Sequence, residues 1–218
     1  MSQTAAEIVR ALEAQRDESR REGMARFGIN ADNAIGISIP TLKRLARPNR
    51  RNHELALALW ACGIHEARIL AVLIEDPGKV SARQMDEWTG DFDSWDVCDQ
   101  ACLNLYCHTP HAWKKARQWA TKKREFVKRA GFALMACLAV HDKDAGNQDF
   151  ESLIPLIEDA SDDNRNFVRK SVNWALRQIG KRNATLRKSS IACAKRILKR
   201  NTPASRWIAR DTLRELEG

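Results

Sequence analysis

The sequence lacks the features of a membrane or secreted protein. No stretch approaches the ~18 continuous apolar residues of a membrane-spanning helix. The segment MSQTAAEIVRALEAQRDESRR contains no apolar core of the kind found in secretory signals. The six cysteines are too few and too irregularly spaced for a disulfide framework. We therefore expect reduced thiols, a cytoplasmic location and no membrane partner.

Strand-like alternation of apolar and polar residues is also missing. In almost every segment, apolar residues recur at intervals of three and four, as in ARILAVLIED and NFVRKSVNWALRQIG. The sequence predicts an all-α fold of roughly twelve helices in one domain over residues 1–218. Prolines 40, 77, 110 and 203 fall at or near the predicted helix boundaries. The Ser and Asp residues of SDDNRNF (161–167) are candidate N-caps for the helix that contains Trp174.

A weak repeat runs through the C-terminal half. A basic residue opens an apolar helical segment at Arg129, Lys170 and Arg210, with separations of 41 and 40 residues. This period is near that of HEAT and armadillo repeats, whose stacked helices create an extended concave surface. We therefore predict a curved α-solenoid of HEAT-like repeats with about six helix pairs. The alternative is a plain helical bundle whose basic residues face solvent.

Acidic residues are absent from residues 164–200, although this segment contains twelve Lys and Arg residues. A second basic run, KKARQWATKKREFVKR (114–129), holds eight Lys and Arg residues and one acid, Glu125. Trp113, Trp119 and Trp174 interleave with these charges. With a net charge of +9, the pattern indicates a surface that neutralises the phosphates of a nucleic acid. The alternative is a surface whose charge only keeps the protein in solution.

Residues 91–111, DFDSWDVCDQACLNLYCHTPH, support two interpretations. One is a zinc site, for which the candidate ligands are three cysteines and two histidines: Cys98, Cys102, Cys107, His108 and His111. The other is an active site of carboxylates and an aromatic ring, with four aspartates around one tryptophan: Asp91, Asp93, Asp96 and Asp99 around Trp95.

Helical spacing favours the second interpretation. Cys-x-x-x-Cys on one helix is a poorer zinc motif than the usual Cys-x-x-Cys, so Cys98 and Cys102 are predicted to be small packing residues. Trp95 and Asp99 are four residues apart and share one helix face, and Tyr106 falls near the same stripe. The alternative for Asp99 is an ion pair with a neighbouring arginine, or an exposed helix charge.

Four motifs resemble those of the HEAT-like alkylation-repair DNA glycosylases of the AlkD type. They are GISIPTLKRLAR (36–47), SWDVCD (94–99), RAGFA (129–133) and NWALRQ (173–178), and they occur in the order found in that family. The resemblance implies that Asp99 is the catalytic carboxylate and that Trp95 and Trp174 are the active-site tryptophans. It also implies that Arg129 holds a backbone phosphate, a contact that Lys170 and Arg177 would extend from positions flanking Trp174.

The resemblance further implies a reaction, namely hydrolysis of the N-glycosidic bond of cationic N3- or N7-alkylated purines in duplex DNA. We expect a monomer, associated with the nucleoid, that needs no metal and no small-molecule cofactor. Two alternatives remain open. One is a non-catalytic HEAT-like protein that binds DNA or RNA structure through a basic concave groove. The other is a helical-repeat adaptor for an acidic protein.

Overall fold

The structure is a computed structural model that describes residues 3–218. Over these residues the chain forms no β-strand, and the prediction of an all-α fold is confirmed. Three short 3-10 helices occur at Arg47–Asn49, Tyr106–His108 and Ala160–Asp162. The described residues form fourteen α-helices: α1 (Ala5–Glu13), α2 (Glu18–Arg26), α3 (Ile39–Ala46), α4 (His53–Ala61), α5 (His65–Ile74), α6 (Ala82–Gly90), α7 (Trp95–Asn104), α8 (Ala112–Ala120), α9 (Glu125–His141), α10 (Asn147–Glu151), α11 (Ile154–Asp159), α12 (Asn166–Lys181), α13 (Ala184–Lys199) and α14 (Pro203–Glu217).

The prolines mark helix boundaries as predicted. Pro40 lies in the first turn of α3 and Pro203 is the first residue of α14, where a missing backbone N–H costs least. Pro77 lies in the turn between α5 and α6, and Pro110 precedes α8. Within residues 3–218, no helix combines the length and apolarity needed to cross a membrane.

The predicted N-caps of α12 are wrong. Its N-cap is Arg165, which makes no side-chain capping hydrogen bond. The Asp163 carboxylate is engaged elsewhere, since it accepts from Arg165 Nη2 at 2.6 Å and from Lys128 Nζ at 3.0 Å. The Arg165 hydrogen bond, which outweighs partial burial, and the Lys128 ammonium hold the pKa of Asp163 well below its ordinary value. Asp163 therefore forms ion pairs instead of capping α12.

The chain divides into two compact units, the first ending at Thr109 and the second beginning at Pro110. In the first unit, α5 packs against α3, α4 and α7. In the second unit, α9 packs against α8 and α12, and α12 also packs against α13 and α14. The single domain over residues 1–218 stays a prediction.

Glu66, in the first turn of α5, fixes the segment that leads into α3. Its buried carboxylate accepts from the backbone N–H groups of Ile35 at 2.8 Å, Gly36 at 2.7 Å and Ile37 at 3.2 Å. Gly36 has φ +94°, and a Cβ there would collide with the Asp17 carbonyl oxygen. Glycine is therefore required at this position in the GISIPT motif.

Candidate functional site

Trp95 and Asp99 lie one turn apart on α7, as their spacing predicted. Trp95 is the first residue of the helix, and both side chains are partly exposed. The indole Nε1 of Trp95 donates to the main-chain carbonyl of Phe27 at 3.0 Å. This hydrogen bond fixes the orientation of the ring from the segment that follows α2.

The loop between α2 and α3 also holds the start of α7. The backbone N–H of Asn30 donates to Ser94 Oγ at 2.8 Å, and its side-chain amide donates to Asp93 Oδ2 at 2.9 Å. Ser94 is fully buried. Because Trp95 follows Ser94 directly, these bonds set the position at which α7 begins.

Asp91, Asp93 and Asp96 each have a structural partner. Asp93 accepts from Asn30, as described above. Asp91 accepts from Trp60 Nε1 at 2.9 Å, and Trp60 stacks on Trp88 with ring centroids 4.1 Å apart. Asp96 Oδ2 lies 2.9 Å from His65 Nε2. Most of the acidic cluster seen in the sequence therefore has a structural role.

His65 is buried at the first position of α5, and its partner is Asp96 near the start of α7. Burial alone would lower the pKa of His65, because it penalises the charged imidazolium. The hydrogen bond to Asp96 and the negative charges of Asp96, Glu66 and Asp93 outweigh burial, and the pKa of His65 is raised above 6.5. The contact thus becomes a charge-assisted bond that ties α5 to α7.

The cysteines of this segment are packing residues. Cys98 and Cys102 are fully buried, as predicted, and burial raises the pKa of the Cys107 thiol to about 12. Within residues 3–218, no three His, Cys, Asp or Glu side chains converge to hold a metal ion. The placement of Tyr106 on the Trp95 stripe is wrong, because α7 ends at Asn104 and the Tyr106 ring is fully buried in the 3-10 helix that follows.

The other predicted site residues lie on α9 and α12 of the second unit. Arg129 is only 5% exposed, and its Nη1 donates to the Phe167 carbonyl at 2.7 Å. Lys170 is exposed on α12, and Trp174, one turn later, is partly exposed. Within residues 3–218, no hydrogen bond or ring contact engages the Trp174 indole.

Arg177 is held by acids of α14. Its Nη1 donates to Asp211 Oδ2 at 2.7 Å, and its Nε lies 2.5 Å from Glu215 Oε2. The same Asp211 oxygen accepts from Asn173 Nδ2 at 2.7 Å. The charge of Arg177 is therefore largely neutralised within the protein, and its contact with phosphate stays a prediction.

Half of the cations in the acid-free segment are neutralised in the same way. Six of the twelve Lys and Arg residues of 164–200 form ion pairs with carboxylates outside that segment: Arg165, Arg177, Lys181, Lys195, Arg196 and Arg200. Within the described chain, Lys170, Arg187, Lys188 and Lys199 make no ion pair. Trp119, which was predicted to interleave with surface charges, is buried instead.

Sequence analysis missed Asn30 and His65, the residues that position α7. Neither belongs to a recognised motif. Asn30 is 63 residues from Asp93, and His65 is 31 residues from Asp96. A local sequence pattern gives no signal for contacts between residues that are so far apart along the chain.

A sequence model of the family described as DNA alkylation repair enzyme matches residues 8–216. The chain belongs to this family. An uncharacterized protein of Listeria innocua serovar 6a, Lin0241, is 23% identical over 166 residues, which cover 74% of this chain and 71% of that protein.

A solved structure confirms the predicted HEAT-like fold of this DNA alkylation repair family member. That protein is described as one of a new family related to the HEAT-like repeat DNA glycosylases, with affinity for branched DNA structures. The TM-score is 0.80, the alignment covers 97% of this chain and 95% of the other, and the identity is 19%. At this identity, the likeness establishes the fold and leaves the activity to be argued from the residues.

Proposed function

We propose that the protein is a DNA glycosylase that removes cationic N3- or N7-alkylated purines from duplex DNA. The observation that carries the proposal is the arrangement on α7, where Trp95 and Asp99 lie one turn apart, both partly exposed. Four side-chain contacts hold the start of that helix, at Trp95, Ser94, Asp93 and Asp96. A carboxylate held on a rigid element meets the main requirement of electrostatic catalysis, which is that little reorganisation is needed during the reaction.

Asp99 stabilises the positive charge that develops on the deoxyribose as the glycosidic bond breaks. The alkylated purine is already cationic, so it takes up the bonding electron pair and leaves as a neutral base. Water attacks C1′, and its proton passes to the Asp99 carboxylate. The products are the free alkylated base and an abasic site, and no general acid is needed.

The tryptophans and cations bind the substrate. Trp95 and Trp174 present electron-rich ring faces to a cationic nucleotide or to its sugar. Lys170, which is exposed and makes no ion pair within residues 3–218, binds a backbone phosphate. Arg129 is assigned a second phosphate.

The test is the release of methylated bases from duplex DNA by wild type and Asp99→Asn. The amide removes the negative charge but keeps the shape, so the rate should fall at least ~100-fold, a typical effect of losing one electrostatic group in an active site. Duplex affinity should stay within about twofold. Asp144→Asn, which alters an exposed acid between α9 and α10, is the matched control and should retain full activity. A variant at Asp99 as active as wild type contradicts the mechanism.

A second prediction concerns the leaving group. Since the proposed site supplies no general acid, release should depend on the positive charge of the lesion. Duplexes with 7-methylguanine and with uracil at one position should therefore differ, with release from the former only. Single-turnover measurements at saturating protein compare them directly, and comparable rates would argue against a cation-specific site.

A second candidate function is structure-specific DNA binding without catalysis. It is favoured by the structural neighbour, which is described as having affinity for branched DNA, and by Lys170 and Arg210, two exposed cations that make no ion pair within residues 3–218. The two candidates differ in the release assay. Salt-sensitive DNA binding by wild type with no release of any methylated base favours the second.

A further inference from the structure

A solvent-exposed face of α14 carries an open cleft with a volume of about 310 Å³, lined by Pro203, Arg206, Trp207, Arg210, Asp211 and Arg214. Each of these residues lies three or four positions from another member of the set, so they share one face of the helix. The cleft thus presents a row of three arginines beside one indole. None of these residues belongs to the site proposed above.

The cleft carries unneutralised positive charge. Arg210 is exposed and makes no hydrogen bond or ion pair within the described chain. Arg206 donates through Nη1 to the carbonyl oxygen of Asn201 at 2.8 Å and to its Oδ1 at 2.9 Å. Both acceptors are neutral, so they orient the guanidinium and leave its charge available to an anion.

The one acid of the cleft is occupied. Asp211 accepts from Asn173 and Arg177 of α12 and also pairs with Arg214. Burial opposes its ionisation, but the hydrogen bonds from Asn173 and Arg177 hold the pKa of Asp211 below its ordinary value. The carboxylate is therefore engaged by Arg177 and Arg214, while Arg206 and Arg210 remain for a ligand.

Trp207 adds an aromatic surface to these charges. Its side chain is 36% exposed, which is unusual for the largest apolar residue. The guanidinium of Arg169 on α12 lies 5.2 Å from the ring centroid and steadies the indole from one side. An aromatic ring beside unpaired arginines is the combination that binds a nucleotide of a single strand, because the cations meet the phosphate and the ring meets the base.

We propose that the α14 cleft binds an unpaired nucleotide in a single-stranded arm of DNA, with its phosphate on Arg206 and Arg210 and its base on Trp207. The proposal rests on the proposed function in one respect only, that the protein binds DNA. Arg210 follows Lys170 by one repeat of 40 residues, and α14 packs against α12. The cleft therefore extends the assigned phosphate contacts by one repeat and gives the protein a preference for duplexes with an unpaired arm.

The experiment compares a blunt duplex with the same duplex carrying a single-stranded arm, by fluorescence anisotropy at about 50 mM and about 200 mM salt. Losing one phosphate contact lowers the salt slope by roughly 0.9, so Arg210→Ala should shrink the ratio of Kd values between the two salts about 3.5-fold on the armed DNA. Trp207→Ala should weaken binding of the armed DNA at least ~fivefold, the lower bound for one base stack. It should leave the blunt duplex unchanged.

Trp207→Phe keeps an aromatic ring and should retain most of the preference for the armed DNA, which separates stacking from misfolding. Arg187→Ala removes an exposed cation of α13 outside the cleft and should behave as wild type. Unchanged arm preference in Trp207→Ala, or an unchanged salt slope in Arg210→Ala, overturns the cleft but leaves the proposed glycosylase intact. Polyglutamate with the same charge as the single-stranded arm serves as a competitor. If it displaces the armed DNA from the protein with the same affinity as the arm itself, the cleft is instead assigned to acidic proteins. Failure of wild type to bind DNA overturns both proposals.

Discussion

At the scale of single residues, the contact between His65 and Asp96 links the protonation of one imidazole to the position of α7. The pKa of His65 in the folded chain lies above 6.5, its ordinary value. The folded state therefore binds this proton more tightly than the unfolded state does. The resulting stabilisation is complete below about pH 6.5 and is lost as the pH rises through the raised pKa.

Replacing His65 with Gln should remove this pH dependence. The amide can still donate to Asp96 but carries no charge. Urea unfolding of wild type should show a midpoint that falls as the pH rises above about 6.5, and the difference between wild type and His65→Gln should shrink over the same interval. A difference that is constant with pH would mean that the pKa of His65 is the same in the folded and the unfolded state.

The roles of the individual acids around Trp95 could be assigned only from the structure. The sequence predicts the shared face of Trp95 and Asp99 because helical spacing alone determines it. The roles of Asp91, Asp93 and Asp96 depend on Trp60, Asn30 and His65, which are 31 to 63 residues away along the chain. Local pattern contains no information about such pairs.

At the scale of helices, Gly131 of α9 lies close to the backbone at the end of α8. A Cβ at this position would lie 2.8 Å from Ala120 Cα and 2.9 Å from the Trp119 carbonyl carbon, both of them backbone atoms. Gly131→Ala should therefore force the helices apart and destabilise the protein by roughly 1–3 kcal/mol. Because Arg129 is two residues away on α9, DNA affinity should fall as well.

Gly23 of α2 provides the matched control, since a Cβ there meets no atom within 4 Å. Gly23→Ala should stabilise the protein by about 0.5–1 kcal/mol through lower entropy of the unfolded chain. Chemical denaturation of both variants gives the comparison. Equal effects of the two alanines would show that the approach of α8 and α9 is looser than the structure has it.

Helices with a clear apolar periodicity, such as α5, α9 and α12, were predictable from the sequence, whereas α10 and α11 were not. With five and six residues each, these two helices are too short to display a repeat of 3.6. The N-cap of α12 was mispredicted because Asp163 has a stronger alternative partner in Arg165. The N-cap preference of aspartate fails here because an ion pair engages the same carboxylate.

At the scale of the whole chain, a net charge of +9 predicts strongly salt-dependent binding to DNA. Lys170→Ala should reduce the slope of log Kd against log salt by about one, with similar effects on every duplex sequence. Lys188→Ala, at another exposed cation without an ion pair in the described chain, serves as the control. Equal slopes for wild type and Lys170→Ala would remove Lys170 from the interface.

The repeat period predicted a HEAT-like fold, because a spacing of about 40 residues across the C-terminal half depends on the length of each repeat and not on residue identity. The number of cations that lack an ion pair was not predictable from the sequence. The acid-free segment appears uniformly basic in sequence, yet six of its cations are paired with acids that flank it.

The acceptor for the Trp95 indole is a main-chain oxygen, and the side chain of Phe27 that accompanies it is 72% exposed. Any residue placed at position 27 supplies the same carbonyl, so the anchor of the ring is independent of the side chain beside it. Position 27 is accordingly a site at which directed evolution can vary shape and polarity next to Trp95 while the geometry of α7 is preserved.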